Sequence, residues 1–304
     1  MAARILMVGS VMMDLILRCE RAPEPSESVL GYEYSNAPGG KGSNAVVAAA
    51  KAGAQTAAYA TVGNDANGDY LIDKWESAGV DTTYTLRKDG NSGFVAITLE
   101  DNGQNRLIIF PGVNMETPPD KLEEALDAGV DAILLQFEIP DQTNIRAIEL
   151  ANERGIITVL DAGPARKDGL AGYPPVTVLS PNETETKALV GIYPEDEETS
   201  RAAAKALQEL NGCKYVVLKL GERGSYIYGE GVDTFVEPYK IELVDPTAAG
   251  DAFTGVLAKA LVETGDIVEA ARFGGAAGAL TCTKLGAQPS LPTAEEIAEL
   301  MARG

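Results

Sequence analysis

The chain contains no histidine. That excludes every His-dependent catalytic triad and most catalytic zinc sites, and it leaves proton transfer to a carboxylate, Lys, Tyr or Cys. Cysteine is scarce: Cys19, Cys213 and Cys282 stand far apart and none forms a CxxC pair. The spacing argues against a zinc site and for a reducing compartment, so a cytoplasmic location is expected. No apolar run reaches the roughly 18 residues a membrane span needs, so no membrane partner is expected. The opening MAARILMVGSVMMDLIL is interrupted by Arg4 and Asp14 and lacks an A-x-A-like site, so it does not read as a signal peptide. Cations are short as well, 25 Lys and Arg against 45 Asp and Glu, a formal charge of −20. Such a field repels nucleic acid and anionic membranes. It also repels any small phosphate ligand, so a phosphate site must be made locally, from backbone amides, a few lysines and a divalent cation.

What is present is ordinary for a globular protein: 304 residues, 45% hydrophobic and 23% charged. A chain of this length buries enough surface to need neither disulfides nor a structural metal. Short apolar runs alternate with helical patterns. Strands are expected at Ile5–Gly9, Thr56–Val62, Ala132–Gln136, Ile156–Leu160, Val176–Leu179 and Tyr215–Leu220. Helices are expected at Ala45–Ala52, Gly68–Ala78, Thr143–Arg154, Thr184–Val190 and Ser200–Leu210, and over the capped C-terminal segment Pro292–Arg303. The alternation predicts an α/β fold, a parallel sheet with helices on both faces. Ser28–Ser35 and the pair Gly93–Leu99 and Asn105–Phe110 break it, the pair joined by the hairpin-like Glu100–Gln104. They read either as a small β-sheet projecting as a lid or as extra antiparallel strands on the edge of the main sheet.

Four segments carry polar chemistry. In Asp245–Leu261, DPTAAGDAFTGVLAKAL, the small residues Thr247, Ala248, Ala249 and Gly250 open a helix whose core-facing stripe is Phe253, Val256, Leu257, Ala260 and Leu261. Such a turn leaves amides free for a ligand's oxygens. Asp251 in that first turn reads plainly as an acidic residue favouring the helix dipole. It also reads as a carboxylate beside an oxyanion hole, the pair that phosphoryl transfer to an alcohol requires. In Pro38–Asn44, PGGKGSN, Gly39 and Gly40 allow a tight turn, and Lys41 and Asn44 are able to bond hydroxyls; the P-loop spacing is absent. In Ser180–Glu185, SPNETE, Asn182 is a helix N-cap candidate and Glu185 a candidate holder of a Mg²⁺-bound water. In Lys219–Gly224, KLGERG, a glycine-rich strand end is placed to lie over phosphates.

Taken in this order, the segments closely resemble the ribokinase family, the PfkB carbohydrate kinases, over nearly the whole chain. GGKGSN and DPTAAGD are specific as a pair, and Lys284–Ser290 (KLGAQPS) fits the ribokinase branch. The resemblance implies a Rossmann-like three-layer α/β/α sandwich, one domain over 1–304, with a lid contributed by roughly 14–35 and 92–112. It implies Asp251 as catalytic base and Ala248, Ala249 and Gly250 as the anion hole. Asp14, Gly39, Gly40, Lys41, Asn44 and Glu138 match positions that hold sugar hydroxyls, and Val95, Ile97 and Ile109 would be lid residues on the sugar's apolar face. Asn182, Lys219, Gly221 and Gly224, with Gly250, match the nucleotide side, and Glu185 the Mg²⁺-water position. Asp245 and Thr247, with carbonyls near Cys282 and Ala287, match a monovalent-cation site. The implied reaction is ATP plus D-ribose to ADP plus D-ribose 5-phosphate, with Mg²⁺ and a K⁺ activator, in a homodimer joined through its lids.

Three departures stand out. Met12 replaces an asparagine that many ribokinases use on the sugar, Asp161-Ala162-Gly163 replaces Asn-Pro-Ala, and Pro246 replaces a Thr. The first bears on which sugar is bound; the others are expected at the edge of the site. The rivals are a sister kinase for 2-deoxyribose, a ketohexose or a nucleoside, and a sugar sensor on a kinase scaffold. A Rossmann dehydrogenase would need GxGxxG after the first strand, and Gly9-Ser10-Val11-Met12 does not supply it.

Overall fold

Residues 2–303 are described by a computed structural model. The chain opens with strands β1 (Arg4–Val8), β2 (Met12–Cys19) and β3 (Gly31–Gly39), then helix α1 (Lys41–Lys51). Next come β4 (Gln55–Tyr59), β5 (Thr61–Gly63), α2 (Ala66–Ser77), β6 (Val80–Asp81), β7 (Leu86–Lys88), β8 (Gly93–Glu100) and β9 (Asn105–Phe110). The middle holds α3 (Leu122–Asp127), β10 (Ala132–Leu135), α4 (Asp141–Arg154), β11 (Ile157–Asp161), β12 (Val178–Ser180), α5 (Glu183–Val190), α6 (Glu197–Asn211) and β13 (Tyr215–Lys219). The chain ends with β14 (Ser225–Gly229), β15 (Val232–Val236), α7 (Ala249–Thr264), α8 (Ile267–Thr281) and α9 (Ala294–Arg303).

The main sheet runs β15-β14-β13-β12-β11-β10-β1-β4-β6. It is parallel from β6 to β13, and β14 and β15 add an antiparallel edge. The β14–β15 turn is Glu230-Gly231, both at positive φ, the geometry of a two-residue hairpin. In β1, Ile5 and Met7 pack on one face among α1, α7 and α8, while Leu6 and Val8 pack on the other among α3, α4 and α6. Both faces are covered, which is why the central strands are mostly apolar, with polar residues mainly at their ends.

A second sheet, β3-β2-β8-β9, shares no ladder with the first. The segments that broke the alternation therefore form a separate lid and not an edge of the main sheet. Its bounds differ from the expected 14–35. β2 starts at Met12, and β3 runs to Gly39 instead of ending at Ser35. The polar Asp14 and Arg18 hide β2 from a hydrophobicity reading, and its pairing supplies the missing order. β2 lies antiparallel to β3 and parallel to β8, with Asp14 opposite Ala37 and Val95. Asn114, fully buried, ties the crossing points to the body: its Oδ1 accepts from Val11 N–H, and its Nδ2 donates to the carbonyls of Val11 and Pro111.

Helices α1 and α7 cross where a Cβ on Gly255 would stand 2.1 Å from the Ala45 carbonyl oxygen. Only glycine permits that approach.

Candidate active site

The site lies at the carboxyl ends of the parallel strands, where open α/β sheets bind ligands. β1 leads through Ser10 and Val11 to β2, β10 leads to Glu138, β11 ends on Asp161, and β13 ends on Lys219. Helices α1, α5 and α7 all present their N-terminal turns there.

The turn before α7 has the expected form. Ala248 is in the left-handed region at φ 64°, unusual for a residue with a Cβ, and no side chain caps the helix. Ala249 N–H donates to the Pro246 carbonyl at 3.2 Å. The amides of Gly250 and Asp251 meet no protein acceptor among the described residues. The Ala248 amide likewise meets none, so within the expected Ala248–Gly250 turn only the Ala249 N–H is taken. An uncapped helix start with strained backbone leaves amide donors that the protein's own side chains do not use, as an anion site requires.

Asp251 is buried, and its Oδ2 accepts from Asn44 Nδ2 at 2.9 Å. Lys41 Nζ lies 3.6 Å from its other oxygen. Burial pushes the Asp251 carboxyl above its ordinary value, against the pull of Lys41 and the Asn44 bond, with Asp161 adding to the rise. A base must have appreciable proton affinity and still be ionised at working pH, and this environment supplies opposing pushes toward that balance. Asn44 Oδ1 is buried with no partner, a ready acceptor for a hydroxyl.

Lys41 sits among carboxylates, 3.4 Å from Asp161 and 3.7 Å from Glu185 as well. Burial opposes its charge, yet Asp161, Asp251, Glu185 and Glu138 outweigh burial and hold its pKa well above the usual lysine value. Glu138 accepts from Lys41 N–H at 3.0 Å and from the Ser10 hydroxyl; burial raises its pKa. Asp14 stands against Gly39, where a Cβ would meet its carboxylate at 2.2 Å, so the first glycine of the pair makes room for the aspartate. Gly40 is needed for its backbone, at φ 91°, as the N-cap of α1. Burial, then Glu138 and Asp251, push Asp14 up to about 7.

Met12 opens β2, buried, and shares a face with Asp14 two residues on. Val95, Ile97 and Ile109 fall on that same face by register. The structure thus brings together every residue read as sugar-facing.

On the other side, Asn182 and Glu185 form a reciprocal capping box at the start of α5. That uses Glu185 Oε2 and leaves Oε1 turned toward Lys41. Among the described residues no group of three or more acidic or sulfur ligands is set to cage a metal. The donor set instead suits a Mg²⁺ held by substrate phosphates and water, with Glu185 reaching a bound water. Lys219 donates to Asp161 and stands beside the α7 turn, its Nζ 3.6 Å from where a Gly250 Cβ would be. A Cβ on Gly221 would meet open space. One on Gly224 would meet the Val236 carbonyl at 2.1 Å, so that glycine answers to packing on β15.

Asp245, Thr247, Cys282 and Ala287 are brought into one loop cluster. Asp245 accepts from the Thr247 amide and hydroxyl and from Gly286 N–H. The Cys282 carbonyl accepts from the amides of Val244 and Asp245, and the Ala287 carbonyl from Ser290. Both lone pairs of the Cys282 carbonyl are therefore taken. The Ala287 carbonyl is equally occupied, by the amide and the hydroxyl of Ser290, so the oxygens left for a monovalent cation are those of Asp245 and Thr247.

Two residues escaped the sequence reading. Asp161 was placed at the site's edge, yet it stands between Lys41 and Lys219. Gly163 leaves the space that Lys41 and Glu185 fill, since a Cβ there would meet both within 2.5 Å. The signal was the altered triplet Asp161-Ala162-Gly163.

The described helices include none long and apolar enough to cross a membrane. Comparison with known proteins agrees with the geometry. The model of the pfkB family carbohydrate kinases matches residues 2–294. The chain is 32% identical to the ribokinase of Staphylococcus aureus strain COL, covering 98% of this chain and 99% of that protein. It is 31% identical to the deoxyribokinase of Salmonella typhi, covering 98% of each. The structure of Arabidopsis thaliana ribokinase complexed with ribose and ATP superposes with a TM-score of 0.87 at 32% identity, over 99% of each chain. A buried carboxylate at an uncapped helix start, hydroxyl-binding groups on one side, lysines on the other and this match over nearly the full length lead to one conclusion: the chain belongs to the pfkB family of carbohydrate kinases.

Proposed function

We propose that the chain transfers the γ-phosphoryl group of ATP to the 5-hydroxyl of D-ribose. The observation that carries this is the placement of Asp251, bonded to Asn44 on the sugar side and one residue from the free amide of Gly250 on the phosphate side. Asp251 takes the hydroxyl proton, and the amides of Gly250 and Asp251, with Lys219, hold the charge that develops on the phosphoryl oxygens. Asp14, Lys41, Asn44 and Glu138 orient the sugar. Asn182 and Lys219 face the nucleotide, and Glu185 holds a water of Mg²⁺, which when bound draws charge from the phosphates. K⁺ at Asp245 and Thr247 shapes the α7 turn from behind.

Met12 favours a second reading, 2-deoxyribose, because a buried thioether cannot replace an asparagine's two hydrogen bonds. ADP release measured over ribose, 2-deoxyribose, ketohexoses and nucleosides tests both. The first reading requires ribose to have the largest kcat/KM; a nucleoside or hexose in that place would reject both.

The outer face of the lid carries exposed Leu17, Tyr34, Ile108 and Phe110, all on the side away from Asp14. Apolar surface of this kind marks a partner, and a second copy joined lid to lid covers it. Sedimentation at micromolar concentration checks this, and a monomer would remove it. The buried, unpaired Cys19 and Cys213 support a reducing, cytoplasmic setting, which localisation of a tagged chain in cells would test.

A further inference from the structure

Asp161 ends the central strand β11, and its carboxylate meets four donors. Oδ1 accepts from Gly163 N–H at 3.0 Å and lies 3.4 Å from Lys41 Nζ on α1. Oδ2 accepts from Lys219 on β13 and lies 3.2 Å from the Thr254 hydroxyl on α7. The Asp161 side chain is 5% exposed and that of Lys219 10%. Burial opposes the negative charge, but Lys219 and Lys41 outweigh it and hold Asp161 at about 2.

A buried ion pair is poor evidence for stability, because desolvation of both ions offsets most of their attraction. Here the pair instead places charge. The Lys219 ammonium stands beside the Gly250 turn, and Lys41 reaches Asp251 and Glu185. We infer that Asp161 is a positioning residue that pins Lys219 beside the first turn of α7 and Lys41 between the sugar and phosphate sides. This rests on the reading of Asp251 as the base. It also goes beyond that reading, because it gives the two lysines a common anchor.

An electrostatic effect follows from the same placement. The groups around Asp251 are Lys41 and Asn44 on α1, Lys219 on β13, Asp161 on β11, and the more distant Glu138 and Asp14. Of these, Asp161 is a fixed negative charge that raises the proton affinity of Asp251. Removing it moves the base toward lower pH.

The test is Asp161→Asn, Lys219→Met and the double variant, with a pH profile for each. Asp161→Asn keeps an acceptor for Gly163 but turns a donor or a neutral oxygen toward Lys219. Its KM for ATP is expected to rise about tenfold, the scale of a lost charge-assisted bond, and KM for the sugar to rise by less, through the loosened Lys41. The acid limb of kcat/KM moves to lower pH. If Asp161 acts through Lys219, the double variant has the ATP KM of Lys219→Met alone. ATP effects that multiply in the double variant, together with an unmoved acid limb, overturn the proposal and leave Asp161 as packing. Should Asp161→Asn not fold, the double variant leaves no unpaired buried cation, and its comparison with Lys219→Met alone decides. Asp251→Asn assayed beside them separates the two readings. Full loss there with a multiplying cycle rejects only Asp161's role, whereas retained turnover rejects the base and leaves the ATP cycle to be judged separately.

Discussion

The carboxyl of Asp14 offers a sharp test of the sugar side. Burial and its neighbours Glu138 and Asp251 lift it from the ordinary 3.8 to about 7. Sugar hydroxyls donate to the ionised form more strongly than to the neutral one, so the sugar selects ionised Asp14. With a pKa of about 7, roughly one-eleventh of the empty enzyme is ionised at pH 6 and roughly ten-elevenths at pH 8. If only that form binds, the apparent Kd for ribose falls about tenfold between those pH values. At pH 7, binding releases about half a proton, since about half the sites enter protonated. Titration calorimetry without ATP, in two buffers of different ionisation heat, measures both quantities. Asp14→Asn should bind more weakly and with a flat profile. The same shift has a stability sign. The folded empty enzyme holds this proton more tightly than the unfolded chain, so its stability falls as pH rises from about 4 through about 7, and Asp14→Asn flattens that slope. A constant Kd from pH 6 to 8, or proton uptake on binding, would refute the assignment of Asp14 to the sugar.

Asp251→Asn keeps an acceptor for Asn44 and should fold and bind substrates, while kcat falls about 10²–10⁴-fold; retention of more than about a tenth of kcat would show that Asp251 is not the base. Met12→Asn should raise the ribose to 2-deoxyribose ratio of kcat/KM by about 2- to 13-fold, the value of one neutral hydrogen bond, and an unchanged ratio would mean that Met12 does not meet the sugar. KCl titrated against a bulky organic cation at fixed ionic strength should accelerate the reaction; equal rates would remove the cation from Asp245 while leaving the kinase standing.

Much of this site was legible because its residues lie in short segments whose local backbone already implies a ligand. PGGKGSN and DPTAAGD each open a helix with small residues, and the capping box Asn182–Glu185 is visible as a spacing. What stayed hidden depends on distant partners. β2 reads as an interrupted strand because Asp14 and Arg18 sit in it, and its partner β8 begins some eighty residues later. α8 contains Gly274, Gly275 and Gly278, which oppose a helix by propensity. Tertiary packing overrides this, since a Cβ on Gly274 would stand 2.8 Å from the Phe253 carbonyl of α7. Asp161 and Lys219 are 58 positions apart, and nothing local to either predicts that one anchors the other.

Because Gly255 lets α7 settle onto the backbone of Ala45, the turn that carries Asn44 and the turn that carries Asp251 belong to one solid piece. The bond from Asn44 to Asp251 spans that seam. In the proposed reaction the alignment of hydroxyl and phosphoryl is therefore set when the chain folds, and no swing of the small sheet is needed to create it. What the sheet would govern in the proposed reaction is admission. Closed, it keeps water away from a phosphoryl group that is already aimed; open, it lets water compete with the alcohol. A molecule built this way loses fidelity before it loses speed. In the proposed reaction, loosening the bonds of Asn114 to Val11 would let ATP leak to hydrolysis while the sugar that does bind still meets a correctly placed base.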